Sequence, residues 1–308
     1  MKYLLIVLFF FSVLTVQSQN LVPNPGFEAH SQCPITLGNI YTVLNWYQVV
    51  GHLSTPDYYN VCGDKLNRVS VPDNTAGYQM PFDGDAYVGI FCYQNLGIGT
   101  IREYIQNRLI SPLIDGQWYR ISFFTNLGDI SSSAVNNIGA ALTNESIQGV
   151  NTFGNLNVTP AFHATEIISD SVNWTQVTGY YKAHGGEQFI TLGNFYSDEQ
   201  TSKKDLITIG GGSAYYLIDA VSVTATDAPA CTAPIVYPNP TAGQINITTA
   251  CQNIRHIKVY NAIAQLVKEI NGNISSIDVG AFPAGMYLLV MTTDENKRFV
   301  KRIIKTNH

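Results

Sequence analysis

Short runs of aromatic and β-branched residues recur along the whole chain, and they limit its fold more than any other feature. Among them are residues 86–91 (AYVGIF), 118–123 (WYRISF), 174–180 (WTQVTGY) and 215–223 (YYLIDAVSV). Such residues favour strands, and the Asp-Gly, Gly-Gly and proline pairs between the runs favour turns. We find no apolar periodicity typical of an amphipathic helix of three turns. The pattern predicts an all-β protein made of sandwiches of short strands.

The first residues have the features of a cleavable signal peptide. Lys2 precedes an almost uninterrupted apolar run over residues 3–16, and residues 16–18 (VQS) suit the cleavage positions. We predict that residues 1–18 are removed and that the mature chain starts at Gln19. The run is shorter than the roughly 20 apolar residues that span a bilayer, and no later segment approaches that length. We therefore expect no stable transmembrane segment; a retained N-terminal anchor is the alternative.

Charge and composition divide the rest of the chain into two parts. Residues 227–230 (DAPA) are a small-residue stretch with a proline, typical of a linker. We predict a domain over residues 19–226, a linker over 227–233 and a second domain over 234–308. Residues 19–230 hold 18 acidic and 8 basic side chains, whereas residues 231–308 hold 8 basic and 4 acidic ones. An acidic first domain argues against nucleic acid as a partner, because it lacks cations to replace phosphate counterions.

Five cysteines in an exported chain can form two disulfides and leave one thiol. We predict a Cys33–Cys62 pair, because both residues lie in loop-like sequence. A Cys231–Cys251 pair would close a loop of about 20 residues and stabilise the fold by roughly 3 kcal/mol. Cys92 follows a strand-like run and is expected to be a packed free thiol.

Four ordered motifs mark the C-terminal part: residues 236–243 (VYPNPTAG), 257–261 (IKVYN), 282–290 (FPAGMYLLV) and 301–305 (KRIIK). The set resembles the type A C-terminal sorting domain of the type IX secretion system of Bacteroidota. The resemblance implies recognition by an outer-membrane translocon, and then either attachment of the protein to the cell surface or its release. The size and strand spacing of this part favour a small immunoglobulin-like sandwich.

Motifs at the two ends of the N-terminal part, residues 21–28 (LVPNPGFE) and 215–223, resemble the galactose-binding-like jelly rolls of carbohydrate-binding modules. Its interior motifs, residues 55–60 (TPDYYN), 77–79 (GYQ), 84–87 (GDAY) and 102–105 (REYI), resemble an ectodomain of exported Bacteroidota proteins. The first resemblance implies a structural calcium ion at Glu28 and Asp219, since carboxylates and carbonyls suit a hard cation. The alternative is that Glu28 caps a turn and Asp219 accepts backbone N–H bonds.

Sugar binding requires aromatic faces and planar polar groups, and the N-terminal part has both in turn-rich segments. We expect the tryptophans to pack in the core instead. The candidate ligand-binding residues are Tyr58, Tyr59, Tyr78, Gln79, Tyr93 and Arg102. Arg102 and Glu103 are adjacent, so in a strand they would face opposite sides.

Signatures of enzymes are weak. There is no Gly-x-Ser-x-Gly nucleophile elbow, and His52, His163 and His184 lack the spacing of metal ligands. We therefore expect a non-catalytic glycan-binding protein, secreted or held at the cell surface. A structural adhesin that binds other proteins is the first alternative. A hydrolase of polysaccharides or esters is the second, because a carboxylate pair can be assembled in space from distant residues.

Overall fold

The computed structural model describes residues 19–49, 55–97, 99–148, 154–207, 212–229, 233–249, 253–294 and 296–307. The chain divides into two compact units, of which the first ends at Asp227 and the second begins at Ala228. The predicted signal peptide lies outside the described residues, as do Cys231 and Cys251. Within these ranges, no helix has the length and apolar character that crossing a bilayer requires.

In its described residues, the regular structure of the N-terminal unit is antiparallel strands and the 3-10 helix Asn39–Thr42. The strands are β1 (Trp46–Gln48), β2 (Asp57–Asn60), β3 (Asp73–Asn74), β4 (Gly77–Tyr78), β5 (Ala86–Asn95), β6 (Thr100–Ile101), β7 (Ile105–Arg108), β8 (Trp118–Leu127), β9 (Ser133–Val135), β10 (Ile138–Thr143), β11 (Phe162–His163), β12 (Thr175–Lys182), β13 (Phe189–Asn194), β14 (Lys203–Asp205) and β15 (Ser213–Thr226).

Two sheets of these strands form a sandwich. One has the order β1-β7-β13-β10-β11, and the other has the order β12-β8-β15-β5-β2 with β6 paired to β5. Along β8, the predicted alternation holds: Tyr119, Ile121 and Phe123 are buried in the main core. They meet Ile190 and Leu192 of the facing sheet in the same cluster. Each such side chain contributes about 1.5–3 kcal/mol when fully buried, so this core holds the sheets together.

The C-terminal unit is a second, smaller sandwich. Sheets β16-β17-β20 and β19-β18-β21-β22 enclose a core of Ile257, Val259, Leu289, Ile303 and their neighbours. The all-β prediction is therefore confirmed for both parts of the chain. The strands of this unit are β16 (Ile235–Tyr237), β17 (Gln244–Thr248), β18 (Ile254–Asn261), β19 (Leu266–Asn271), β20 (Ser276–Asp278), β21 (Gly285–Thr293) and β22 (Arg298–Lys305).

Candidate functional site

Tyr58 and Tyr59 lie in β2, not in the turn-rich loop that the sequence predicted, and both are completely buried. Tyr58 packs in the main core, whereas Tyr59 belongs to a cluster with Val69 and Val71 on the other side of the strand. Because both faces of β2 are covered, neither ring presents a face to a ligand. This placement corrects the prediction that they line a binding site.

The hydroxyl groups of the buried tyrosines converge on a buried carboxylate. Tyr215 donates a hydrogen bond to Asp57 Oδ2 at 2.6 Å, and Tyr59 lies 3.0 Å from the Tyr215 hydroxyl. The Gly38 N–H donates to Asp57 Oδ1 at 2.6 Å. Burial raises the pKa of Asp57, and these bonds oppose the rise. The cluster therefore stabilises the interior and is closed to solvent.

Glu103 is a second buried carboxyl group. It accepts the N–H groups of Thr55 at 2.7 Å and Phe91 at 2.9 Å. Burial and the nearby charge of Asp57 together raise the pKa of Glu103 to about 8, against the opposing effect of the two backbone bonds. Glu103 is therefore largely protonated at neutral pH, which agrees with a structural role.

Two of the candidate ligand-binding residues, Tyr93 and Arg102, lie close together. The Arg102 guanidinium lies 5.7 Å from the centre of the Tyr93 ring. However, Arg102 is buried and pairs with Asp198 at 2.8 Å. A cleft of about 190 Å³ opens beside them, lined also by Thr100, Asn155, Ser197 and Glu199. Arg102 acts mainly as an internal cation, because its guanidinium binds Asp198. Its neighbour Glu103 accepts backbone N–H groups instead.

Tyr78 and Gln79 lie at the β3–β4 hairpin. Tyr78 is 66% exposed, so its ring is available to solvent. The Gln79 amide donates to the Met80 carbonyl at 3.1 Å, and the Gln79 carbonyl accepts the hydroxyl of Tyr87. The Tyr78 N–H donates to Asp129 Oδ2 at 3.2 Å, so a carboxylate lies beside this exposed ring.

Glu28 and Asp219, the residues implied as calcium ligands, approach the same glycine. A Cβ atom placed on Gly26 would lie 3.6 Å from Asp219 Oδ1 and 3.7 Å from Glu28 Oε1. Asp219 is fully buried beside a register shift in β15, where Ala220 has a φ of 49°. Burial raises the pKa of Asp219 to about 7 and also raises the pKa of the more exposed Glu28.

Both carboxylates also accept backbone N–H bonds. Asp219 Oδ2 accepts from Phe82 at 2.9 Å and from Asp83 at 3.1 Å, and Glu28 Oε1 accepts from Asp85 at 2.9 Å. The arrangement ties the segment that precedes β1 and the last strand of the unit, β15, to one turn. An ionised oxygen accepts more than one bond, so these contacts leave lone pairs for a cation.

The sequence analysis missed a set of residues on the outer face of the five-stranded sheet. Tyr47, Arg108 and Phe189 come from the neighbouring strands β1, β7 and β13, and Gln188 precedes β13. Arg108 lies 5.9 Å from the centre of the Phe189 ring and donates to Gln188 Oε1 at 3.1 Å. Arg108 is exposed, and the two rings are half-buried. We call these four residues the outer-face patch.

The stretch of that sheet face next to the patch is covered. Gln106 and Thr191 are fully buried, and Ser146 donates to Gln106 Oε1 at 2.9 Å. Leu156 and Ala141 pack together in a separate cluster above the sheet. The outer-face patch therefore lies beside a closed stretch of the same sheet face. The one sequence signal of the outer-face patch is the pair of consecutive aromatics Trp46 and Tyr47. Trp46 lies in the main core and Tyr47 does not.

The cysteines that the structure describes have two different states. Cys33 and Cys62 form a disulfide, and Cys92 is a buried free thiol. Burial raises the pKa of Cys92, so its thiol stays protonated. The tryptophans also differ: Trp46 is buried in the main core, whereas Trp118 and Trp174 are half-buried.

Comparison with known proteins assigns the C-terminal part. Residues 235–306 match the secretion system C-terminal sorting domain, which confirms the resemblance of the four motifs. This type IX sorting domain indicates secretion and cell-surface attachment. No curated protein matches the chain in sequence.

Several solved structures are similar to the chain. The K3 cleaved adhesin domain of Lys-gingipain from Porphyromonas gingivalis has 12% identity and a TM-score of 0.35, covering 68% of this chain and 99% of that one. The CBM22-1–CBM22-2 tandem domain of Xyn10C from Paenibacillus barcinonensis has 10% identity and a TM-score of 0.36, covering 96% and 87%. TmCBM61 in complex with β-1,4-galactotriose has 11% identity and a TM-score of 0.32, covering 68% and 100%.

Proposed function

We propose that this chain, whose residues 235–306 are a secretion system C-terminal sorting domain, is a non-catalytic glycan-binding protein displayed at or released from the cell surface. The type IX translocon is its partner during export, and a carbohydrate is its ligand afterwards. The outer-face patch binds that carbohydrate. The observation that carries the proposal is the grouping of Tyr47, Arg108, Phe189 and Gln188 on one open sheet face.

The chemistry of the patch supports a sugar ligand. Aromatic rings pack against the apolar face of a pyranose, and the planar guanidinium and amide groups bond to its hydroxyls. The patch extends over three adjacent strands, so it is about 10 Å wide, enough for two neighbouring sugar rings. Strands hold these side chains more rigidly than loops do, which lowers the entropy lost on binding.

A glycan array and calorimetry on the full chain test this proposal. We expect Arg108→Ala and Phe189→Ala each to weaken binding of a bound glycan about tenfold, the effect of losing roughly 1.4 kcal/mol. Tyr180→Ala is the matched control, because Tyr180 is a partly exposed aromatic on the other sheet. Failure of the wild-type chain to bind any glycan, or equal loss in the control, would contradict the proposal. Turnover of the bound glycan would indicate the hydrolase alternative.

A protein-binding adhesin is the second candidate, and one observation favours it. Ile35, Leu37, Tyr41 and Leu44 are each at least 45% exposed within one segment of ten residues. Exposed apolar groups close together in sequence are typical of protein contacts. In this case Tyr41→Ser would reduce adhesion of the purified chain to immobilised cell-surface proteins, and Arg108→Ala would leave it unchanged.

A structural calcium ion at Glu28 and Asp219 completes the proposal. The site fits a hard cation, because a buried and a more exposed carboxylate meet there and Asp219 is otherwise repelled by Glu28. A bound ion would hold the segment before β1 and the last strand of the unit, β15, together. Saturating calcium should then raise Tm, with a stabilisation of about 2.7 kcal/mol at a hundredfold excess over Kd. Glu28→Gln should abolish this increase in Tm. A wild-type Tm that does not change with calcium would indicate that Glu28 and Asp219 accept backbone N–H bonds and bind no ion.

A further inference from the structure

His30 lies against the disulfide between Cys33 and Cys62. Its Nε2 atom is 3.7 Å from the Cys62 sulfur and 4.0 Å from the Cys33 sulfur. All three ligand-bearing atoms lie within 4.8 Å of one another. Cys62 is exposed and the other two residues are half-buried, so an ion from solvent can reach the group.

The other nitrogen of the His30 ring is held in place. Nδ1 is 2.8 Å from the carbonyl oxygen of Glu28 and 3.1 Å from the hydroxyl of Tyr58. A carbonyl oxygen only accepts, so Nδ1 carries the proton and donates it. In the neutral ring the lone pair is then on Nε2 and faces the two sulfurs. Histidines that bind metal ions are oriented in the same way, through a second bond from the ring to a carbonyl or carboxylate.

We propose that, when the disulfide is reduced, Cys33, Cys62 and His30 form a binding site for Zn²⁺. Two thiolates and one imidazole are a ligand set that zinc prefers, and an exposed position leaves room for water as the fourth ligand. Tetrahedral zinc with usual bond lengths places sulfur and nitrogen about 3.6 Å apart and two sulfurs about 3.8 Å apart. The sulfur–nitrogen distances already lie near this value, so only the sulfurs must separate.

The chemical steps balance with an added thiol or phosphine reductant. The reductant supplies two electrons, the S–S bond breaks, and each sulfur takes one proton from water. Zinc then binds both sulfurs as thiolates and displaces these two protons, with no change in its own oxidation state. An oxidant that re-forms the disulfide must expel the ion. The disulfide and the metal are therefore mutually exclusive states of one site.

Titration of the reduced full chain with Co²⁺, and then with Zn²⁺, tests the proposal. We expect one equivalent of Co²⁺ to give thiolate-to-cobalt charge-transfer absorption, which Zn²⁺ removes. The oxidised chain should give no such absorption. His30→Ala should weaken Co²⁺ binding by more than about tenfold, whereas His163→Ala, a histidine on β11, should not change it. The double variant C33S/C62S should show no charge transfer.

Circular dichroism of the reduced chain, recorded before the titration, completes the test. If reduction alone unfolds the N-terminal unit, the proposal predicts that Zn²⁺ restores the folded spectrum in the wild type and fails to do so in His30→Ala. Absence of charge transfer in a folded reduced chain would overturn the proposal. Binding that survives in C33S/C62S, or an unfolded chain that zinc does not restore, would also overturn it.

Discussion

The two units bury different kinds of side chain. The N-terminal unit encloses Asp57, Arg102, Glu103 and Asp219, together with several tyrosines whose hydroxyls bond to them or to the backbone. The C-terminal unit encloses mainly Ile, Val, Leu and Met. Within its described ranges, its buried polar residues are Thr241, Thr293 and Lys305, and the ammonium group of Lys305 donates to the Thr306 carbonyl.

This difference has a consequence for stability. A buried carboxyl group changes its proton affinity on folding, so the stability of the unit that holds it depends on pH. An aliphatic core does not titrate, and its stability depends on contact area and packing. Polar partners must also meet at fixed distances, whereas aliphatic cores tolerate exchanges of similar volume. We therefore expect the stability of the sorting domain to depend less on pH than that of the N-terminal unit.

The largest expected effect is at Glu103. Its folded pKa is about 8, above the ordinary value of 4.5, so the folded state holds the proton more tightly than the unfolded state does. Stability is fully present below pH 4.5 and is lost as the pH rises to about 8. Between pH 5 and 8.5 we expect the ionisation of Glu103 alone to cost about 4 kcal/mol. Glu103→Gln should remove this contribution, because it cannot ionise, whereas Asp219, whose pKa burial raises to about 7, keeps a smaller loss in the same direction.

Tryptophan fluorescence during denaturant unfolding measures this effect in the full chain. All three tryptophans lie in the N-terminal unit, so their signal reports that unit. Glu166→Gln is the control, since it removes an exposed carboxyl group, and it should keep the wild-type pH dependence. If the unfolding free energy of the wild-type chain does not change between pH 5 and 8.5, the expected difference in pH dependence between the two units is wrong.

The next effect concerns the aliphatic core. Leu289 is fully buried in the C-terminal unit, so Leu289→Ala should destabilise that unit by about 2–5 kcal/mol through lost burial and a cavity. The loss should be the same at pH 5 and pH 8.5. Hydrogen exchange measured by mass spectrometry against denaturant concentration can follow peptides of β21 and β22. The exposed Leu288→Ala is the matched control. A loss that varies with pH would show that titrating groups also govern this core.

The fold could be predicted because its signals are local. Alternation over residues 118–123 correctly placed Tyr119, Ile121 and Phe123 on one buried side, and the motifs from 236 to 305 identified the sorting domain. The candidate site could not be predicted in the same way. Residues 55–60 have a turn-like composition, yet packing on both faces makes β2 a buried strand.

The outer-face patch shows a second limit of prediction from the sequence. Tyr47, Arg108 and Phe189 are far apart in sequence and become neighbours only through the order β1-β7-β13. Strand order and register depend on non-local pairing, which one sequence does not reveal. The approach of Glu28 to Asp219 was anticipated only because the two end motifs resemble those of a known family. The sequence gives no signal of a role for His30, because the predicted Cys33–Cys62 disulfide leaves no free thiolate beside it.

The smallest expected effect tests whether the polar network itself stabilises the N-terminal unit. Tyr215→Phe keeps the buried ring and removes the hydroxyl that donates to Asp57 at 2.6 Å. Asp57 then loses its shortest side-chain partner, at a cost of about 1–3 kcal/mol in unfolding free energy. Tyr180→Phe, on an exposed position of β12, should change stability by less than about 0.5 kcal/mol. Equal effects of the two variants would mean that the hydroxyl adds nothing, and the two units would then differ in their titrating groups alone.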